Sequence, residues 1–214
     1  MNKEVLNIHK ALCDLKILNK RINEKIMELD VVNTFKPSNP KINGVSVDDW
    51  KKNARAKWDS LQDDIKRRDA IKRAINQSNA VTEITIGGGK YTIAEAIDMK
   101  QFGVTYLEAI ARKLKDQFSR ANQLVNMNNA QVENDAAAYA QSVAGGKDKT
   151  VQISPESIEQ IRKTYYDQHK SELAEAFTIT TELEDLQKTI DDFRSEVDSA
   201  ISVSNAVTTI TIEY

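Results

Sequence analysis

What this sequence has little of narrows it first. A single cysteine, Cys13, excludes an internal disulfide, and its place beside Leu12 in a helical pattern predicts a packed or half-buried thiol rather than a nucleophile. Three prolines and seven glycines in 214 residues leave long stretches without punctuation, and aromatic residues amount to only 6%. No apolar run approaches the roughly 18 residues that span a bilayer. The opening MNKEVLNIHK carries charge where a secretory leader would be apolar, so synthesis in a cytoplasm is expected. Charge of one sign is missing too. Thirty basic and 32 acidic residues give a net charge of −2, mixed along the chain, so no strong field draws in nucleic acid or an anionic membrane.

With 29% charged and 40% apolar residues, the composition suits long helices with narrow buried seams. The expected fold is mainly α with a small β-sheet (α+β), as one elongated domain over residues 1–214. Ile8, Leu15, Ile22 and Leu29 stand seven apart, with Ala11 and Leu18 between them, predicting a helix over 4–30. Pro37 and Pro40 end it, and Asn43-Gly44 suits a tight turn. A second helix is predicted over 48–77, its apolar face running through Trp50, Ala54, Trp58, Leu61, Ile65, Ile71 and Ile75. Lys66, Arg67, Arg68, Lys72 and Arg73 make the one basic concentration, but Asp63, Asp64 and Asp69 are interspersed at pairing distances, which predicts a solvated salt-bridge face. Ile84 to Ile93 alternates apolar residues and Thr around Gly87-Gly88-Gly89, a β-hairpin signal over 81–93. Because Lys90-Tyr91 and a second strand follow the glycines, a phosphate loop is not expected.

Thr92-x-x-Glu95 reads as a capping box that opens a long helix over 94–142, with Gly103 and the Asn-rich stretch 122–134 as weak points. An extended piece is predicted at 150–153, a helix over 155–176 after Ser154-Pro155, and a last helix over 182–203 opened by Thr181-x-x-Glu184. A strand at 207–213 closes the chain.

One pattern stands apart. SNAVTEITI at 78–86 returns as SNAVTTITI at 204–212, and the likeness reaches upstream: Arg68, Ile71, Ala74 and Ile75 are spaced as Arg194, Val197, Ala200 and Ile201. Ser-Asn reads as a helix stop in which Asn takes the left-handed conformation. The two matching strands are expected in one three-stranded sheet with the Tyr91 strand, placing Ile84, Ile86, Tyr91, Ile93, Ile210, Ile212 and Tyr214 toward helices and Thr85, Thr209 and Thr211 toward water. Antiparallel helical hairpins or coiled coils would project from that sheet, and its edges would accept a strand from another subunit.

Catalytic chemistry has no foothold here. His9 and His169 are far apart and in no metal-ligand spacing, and the carboxylates alternate with Lys and Arg without converging on a nucleophile. No enzyme, metal or cofactor is expected. The stretches LCDLKILNKRINEKI (12–26), RRDAIKRAINQSNAVTEITIGGGKYTIAEAI (67–97) and 197–213 resemble a group of small helical proteins of unknown activity encoded by bacteriophages and prophages, and more distantly a septicolysin-like bacterial family. That resemblance implies a phage origin, a place in the virion, and other phage structural proteins as partners, with no catalytic residues to carry over. The expectation is therefore a virion structural or assembly protein that self-associates. The alternative is a non-virion interaction module, an assembly chaperone or a binder of a host protein. Either would use Trp50, Trp58, Ile84, Ile86, Tyr91, Ile210, Ile212 and Tyr214 as contact residues.

Overall fold

A computed structural model describes residues 3–145 and 154–214. In chain order come β1 (Lys3–Asn7), α1 (Ile8–Met27), β2 (Lys41–Ile42), β3 (Val45–Ser46), α2 (Val47–Asn79), β4 (Glu83–Ile86), β5 (Gly89–Thr92), α3 (Ile93–Asp98), a π-helical segment (Met99–Gly103), α4 (Val104–Ala144), α5 (Pro155–His169), α6 (Ile179–Val207) and β6 (Thr209–Glu213). The protein is mainly helical with small antiparallel sheets. Where the sequence suggests a single elongated domain, the chain groups into two compact units, residues 1–103 with 192–214 and residues 104–191, with α6 contributing to both. The extended piece expected at 150–153 lies outside the described residues.

In the first unit, β4 and β5 form the expected hairpin, turning through Gly87 and Gly88, both at positive φ. The three-stranded sheet is corrected: β6 pairs antiparallel with β1, and the hairpin stands as its own two-stranded ladder. The reason lies in residues 3–7, of which the predicted helix over 4–30 took in all but the first. They alternate instead, Val5 outward and Leu6 inward, and the Asn7 side chain accepts from the Lys10 amide at 2.8 Å. An Asn cap there starts the helix only at Ile8. The facing of the strands is as expected: Ile86, Ile93, Ile210 and Ile212 are buried, while Thr85, Thr209 and Thr211 are exposed.

The repeated sequence marks a repeated structure. The Thr82 amide donates to the Ser78 carbonyl at 2.9 Å, and the Thr208 amide to the Ser204 carbonyl at 2.9 Å. Hydroxyls of the same pairs lie 3.3 and 3.5 Å apart. The Ile93 amide donates to the Thr82 carbonyl at 2.9 Å, and the Ile8 amide to the Thr208 carbonyl at 3.0 Å. Registers agree as well: Ile84 faces Tyr91 as Ile210 faces Leu6, and Glu83 faces Thr92 as Thr209 faces Asn7. Thr92 and Asn7 each cap the helix that follows, and Ala96 and Ala11 are each fully buried in its first turn. A helix–strand, strand–helix unit thus occurs twice, as α2–β4 with β5–α3 and as α6–β6 with β1–α1. Serine, not asparagine, makes the stop. Helix α2 continues through Asn79 to a right-handed Ala80, and Asn43 is the sole positive-φ residue besides glycine among the described residues.

Each ladder is covered by the helix that leads into the other. From α2, Ile71 and Ile75 pack with Leu6, Ile8, Ile210 and Ile212 of the β1–β6 side. From α6, the Phe193 ring meets Tyr91 edge-on at 5.7 Å, and Glu196 accepts from the Gly87 amide at 2.7 Å. Each copy is thus tied to the other by its covering helix. Antiparallel α1 and α2 extend onward as a helical hairpin, with Leu18 and Leu61 buried along the seam.

The remaining helices differ from expectation at their ends. Thr92 and Glu95 do form a capping box, but the helix it opens passes through the π-helical segment before running on to Ala144. Such a segment absorbs an extra residue without breaking the helix. Helix α5 ends at His169, not 176, because Lys170 turns extended and the Ser171 backbone is taken by the Asn129 side chain, with N–H to Oδ1 at 2.7 Å and Nδ2 to carbonyl at 3.0 Å. Helix α6 starts at Ile179, ahead of the Thr181–Glu184 box, since the Glu175 carboxylate accepts from the Ile179 amide at 3.0 Å.

Candidate interaction surfaces

Two ionic clusters hold the first unit together. Asp64, buried on α2, accepts from Arg21 and from Lys25 (2.6 Å) on α1, and Lys25 also reaches the Ser60 hydroxyl at 2.7 Å. Burial opposes the Asp64 charge, yet the two cations outweigh it and hold the carboxyl below its ordinary range. One turn on, Arg67 donates to Glu4 (3.0 Å) and Asp14 (2.7 Å) and lies over the Tyr214 ring at 5.9 Å, while the Tyr214 hydroxyl donates to Glu4. The Arg67 guanidinium, and then the Tyr214 hydroxyl, hold Glu4 below its usual range; the same bond pushes the Tyr214 phenol up. The basic stretch of α2 is therefore only partly the solvated face expected from sequence. Lys66–Asp63 and Arg68–Asp69 pair locally, but Asp64 and Arg67 bind other elements.

The expected contact residues separate into two groups. Ile86, Ile210 and Ile212 are buried core, and Ile84, Tyr91 and Tyr214 are half-buried, so these six act chiefly inside the fold. Trp50 and Trp58 instead line an open groove on the first helical hairpin with Val31, Lys51, Ala54 and Arg55. Trp58 is exposed and Trp50 half-buried, so this face has indole surface to offer. Cys13, expected packed or half-buried, is exposed.

The second unit was not read as a contact surface from sequence. Its α5 lies antiparallel on the C-terminal half of α4, where Ala136 and Ala140 are buried, Tyr139 lies against Tyr165 (5.0 Å), and Tyr165 stacks on His169 (4.1 Å). The N-terminal half of α4 has no such cover. Between it and α6 runs a groove with Ala111, Phe118, Leu183 and Ile190 on its apolar floor and Arg112, Lys115 and Glu184 at its rim. A second apolar line, Tyr106, Ile110, Leu124 and Met127, is exposed on the same helix. It escaped the sequence reading because a single stripe through Leu107, Ala111, Leu114 and Phe118 already satisfied the helical period. Counting a second register on the same residues would have found it.

Among the described residues no group of three or more His, Cys, Asp or Glu could hold a metal ion, and no helix is long and apolar enough to cross a membrane. No family model, curated protein or solved structure matches the chain.

Proposed function

We propose that the protein is a non-enzymatic structural or assembly component of a bacteriophage particle, working through helix faces and strand edges against copies of itself or against head, neck or tail proteins. The observation that supports this reading best is α4. It runs for 41 residues with only Val104, Ala136 and Ala140 buried, while large apolar side chains sit exposed along it. A helix that is apolar on more than its inner face is built to gain a further helical neighbour, in the manner of a coiled coil. The phage setting comes from the sequence resemblance of residues 12–26, 67–97 and 197–213. Mass spectrometry of washed virions tests it: the polypeptide is expected at a stoichiometry matching a structural ring or shell, and its absence from particles that infect normally would exclude the assignment.

The Trp50/Trp58 groove favours a second reading, a non-virion module that binds a host protein or chaperones assembly. Exposed indole in an apolar groove flanked by Lys51 and Arg55 is the make-up of a binding hot spot. Under this reading a host or non-virion phage protein copurifies from infected cells, and Trp58→Ala releases it.

A further inference from the structure

We infer that Asn43 is a site of spontaneous covalent modification, deamidating through a cyclic imide to aspartate and isoaspartate, and that the isoaspartate form unfastens the start of α2. The inference is independent of the assembly reading. Asn-Gly occurs once in the sequence, at Asn43-Gly44. In the structure it is the two-residue loop between β2 and β3, with Ile42 paired to Val45 across it and φ of 49° at Asn43 and 83° at Gly44. Both residues are exposed, and a Cβ at Gly44 would meet nothing within 4 Å. Neither the Asn43 side chain nor the Gly44 amide has a hydrogen bond among the described residues. Other asparagines lack this combination. Asn33 precedes Thr34, whose β-branch crowds the attacking amide, and Asn39 precedes Pro40, which has no N–H. Asn53, Asn129 and Asn205, each followed by alanine, lie inside helices, where backbone bonding holds the next amide.

In the reaction the Gly44 nitrogen gives up its proton to solvent and attacks Asn43 Cγ. The Cγ–Nδ2 bond breaks, ammonia leaves with a proton regained from solvent, and an imide ring joins the two residues. Water then opens the ring. Cleavage of the new bond to Cγ leaves aspartate; cleavage at the Asn43 backbone carbonyl leaves isoaspartate, whose main chain runs through Cβ and Cγ and is longer by one atom. In sum a water is consumed, an ammonia is released and the chain gains a negative charge. Ring closure draws on motion of the loop, and a ladder of only two residue pairs resists that motion little. The product matters because a loop with both residues at positive φ has no room in its geometry for an added backbone atom. That ladder holds α2 at its start: the Val47 amide donates to the Pro40 carbonyl at 3.2 Å, the Ser46 hydroxyl accepts from the Asp49 amide at 3.2 Å, and Ile42 and Val47 are buried. Without it the first turn of α2, which carries Trp50, loses its cap.

The test ages the full chain in warm, mildly alkaline buffer and maps its peptides by mass and by a separation that resolves isoaspartate from aspartate. The Asn43 peptide is expected to gain about 1 Da, the exchange of NH2 for OH, before any other asparagine changes, and to split into both products. Hydrogen exchange at the Val47 and Asp49 amides is expected to quicken in the isoaspartate form. Two variants separate the causes. Asn43→Gln, whose longer side chain closes a ring far more slowly, is expected to exchange after ageing as it did when fresh. Fresh Asn43→Asp carries the new charge without the longer backbone, and is expected to exchange at the rate of the unaged protein. An Asn43 that stays intact or is overtaken by other asparagines, an isoaspartate form with unchanged exchange at Val47 and Asp49, or equal quickening in Asn43→Asp would overturn the inference.

Discussion

Asp64 shows how one side chain can matter beyond its size. It sits 7% exposed between two helices, and its charge is matched by Arg21 and Lys25 across the seam. Asp64→Asn keeps the shape but leaves two cations without their partner, and is expected to lower stability by about 1–3 kcal/mol in urea unfolding at neutral pH. The pH dependence has a definite sign. The folded-state pKa is depressed, so the stabilisation is complete above the ordinary value of 3.8 and is lost as pH falls through the lower folded-state value. The gap between the two proteins should close in that acidic window and stay constant above it; a gap that stays unchanged however far the pH falls would show that the ion pairs are not its source. None of this was legible in the sequence, where Asp64 looked like one more alternating charge. Spacing along a helix reveals neighbours on that helix, and Asp64 answers to residues some forty positions away.

At the level of elements, the strongly punctuated pieces were the readable ones. The Gly-rich hairpin and the Thr92 cap follow from backbone requirements that few other residues meet, so sequence alone placed them. Strand β1 was hidden because five residues cannot disturb a seven-residue period, and its partner lies at the other end of the chain. The apparent capping box at Thr181 misled for the opposite reason: the local signal was present, but Glu175 supplied an earlier start. The hairpin also makes a graded prediction. Gly87 and Gly88 both hold positive φ, but a Cβ on Gly87 would stand 3.1 Å from Asp192 Cβ on α6, while one on Gly88 would meet nothing within 4 Å. Gly88→Ala should therefore cost about 1 kcal/mol from backbone strain alone. Gly87→Ala should cost more, and only it should loosen the Phe193–Tyr91 contact, read as faster exchange of the β5 amides.

For the molecule as a whole, the two-copy arrangement matters most. The β1–β6 ladder repeats the β4–β5 hairpin without a turn across its open side, where Lys3 faces Glu213 and pairs with it at 3.1 Å. Linking those positions with a short glycine turn, and opening the chain between Gly87 and Gly88, should yield a permuted protein of the same helical content that unfolds in one transition, within about 2 kcal/mol of the original. Loss of cooperative unfolding would mean the two ladders are not interchangeable. The repeat was visible in the sequence and its meaning was not, because matching strands suggested neighbours, while the structure makes them counterparts. The arrangement also sets a timetable. Glu4 and Tyr214, which clasp Arg67 together, are 210 residues apart, so during synthesis the first strand emerges long before anything can pair with it. The hairpin of β4 and β5 can close as soon as it leaves the ribosome, but the opposite ladder must wait until β6 has been made. Until then Leu6, Ile8 and Ile71 lack the cover of Ile210 and Ile212, and any chain stalled short of β6 would carry that incompletely covered apolar surface into the cell as a target for chaperones and proteases.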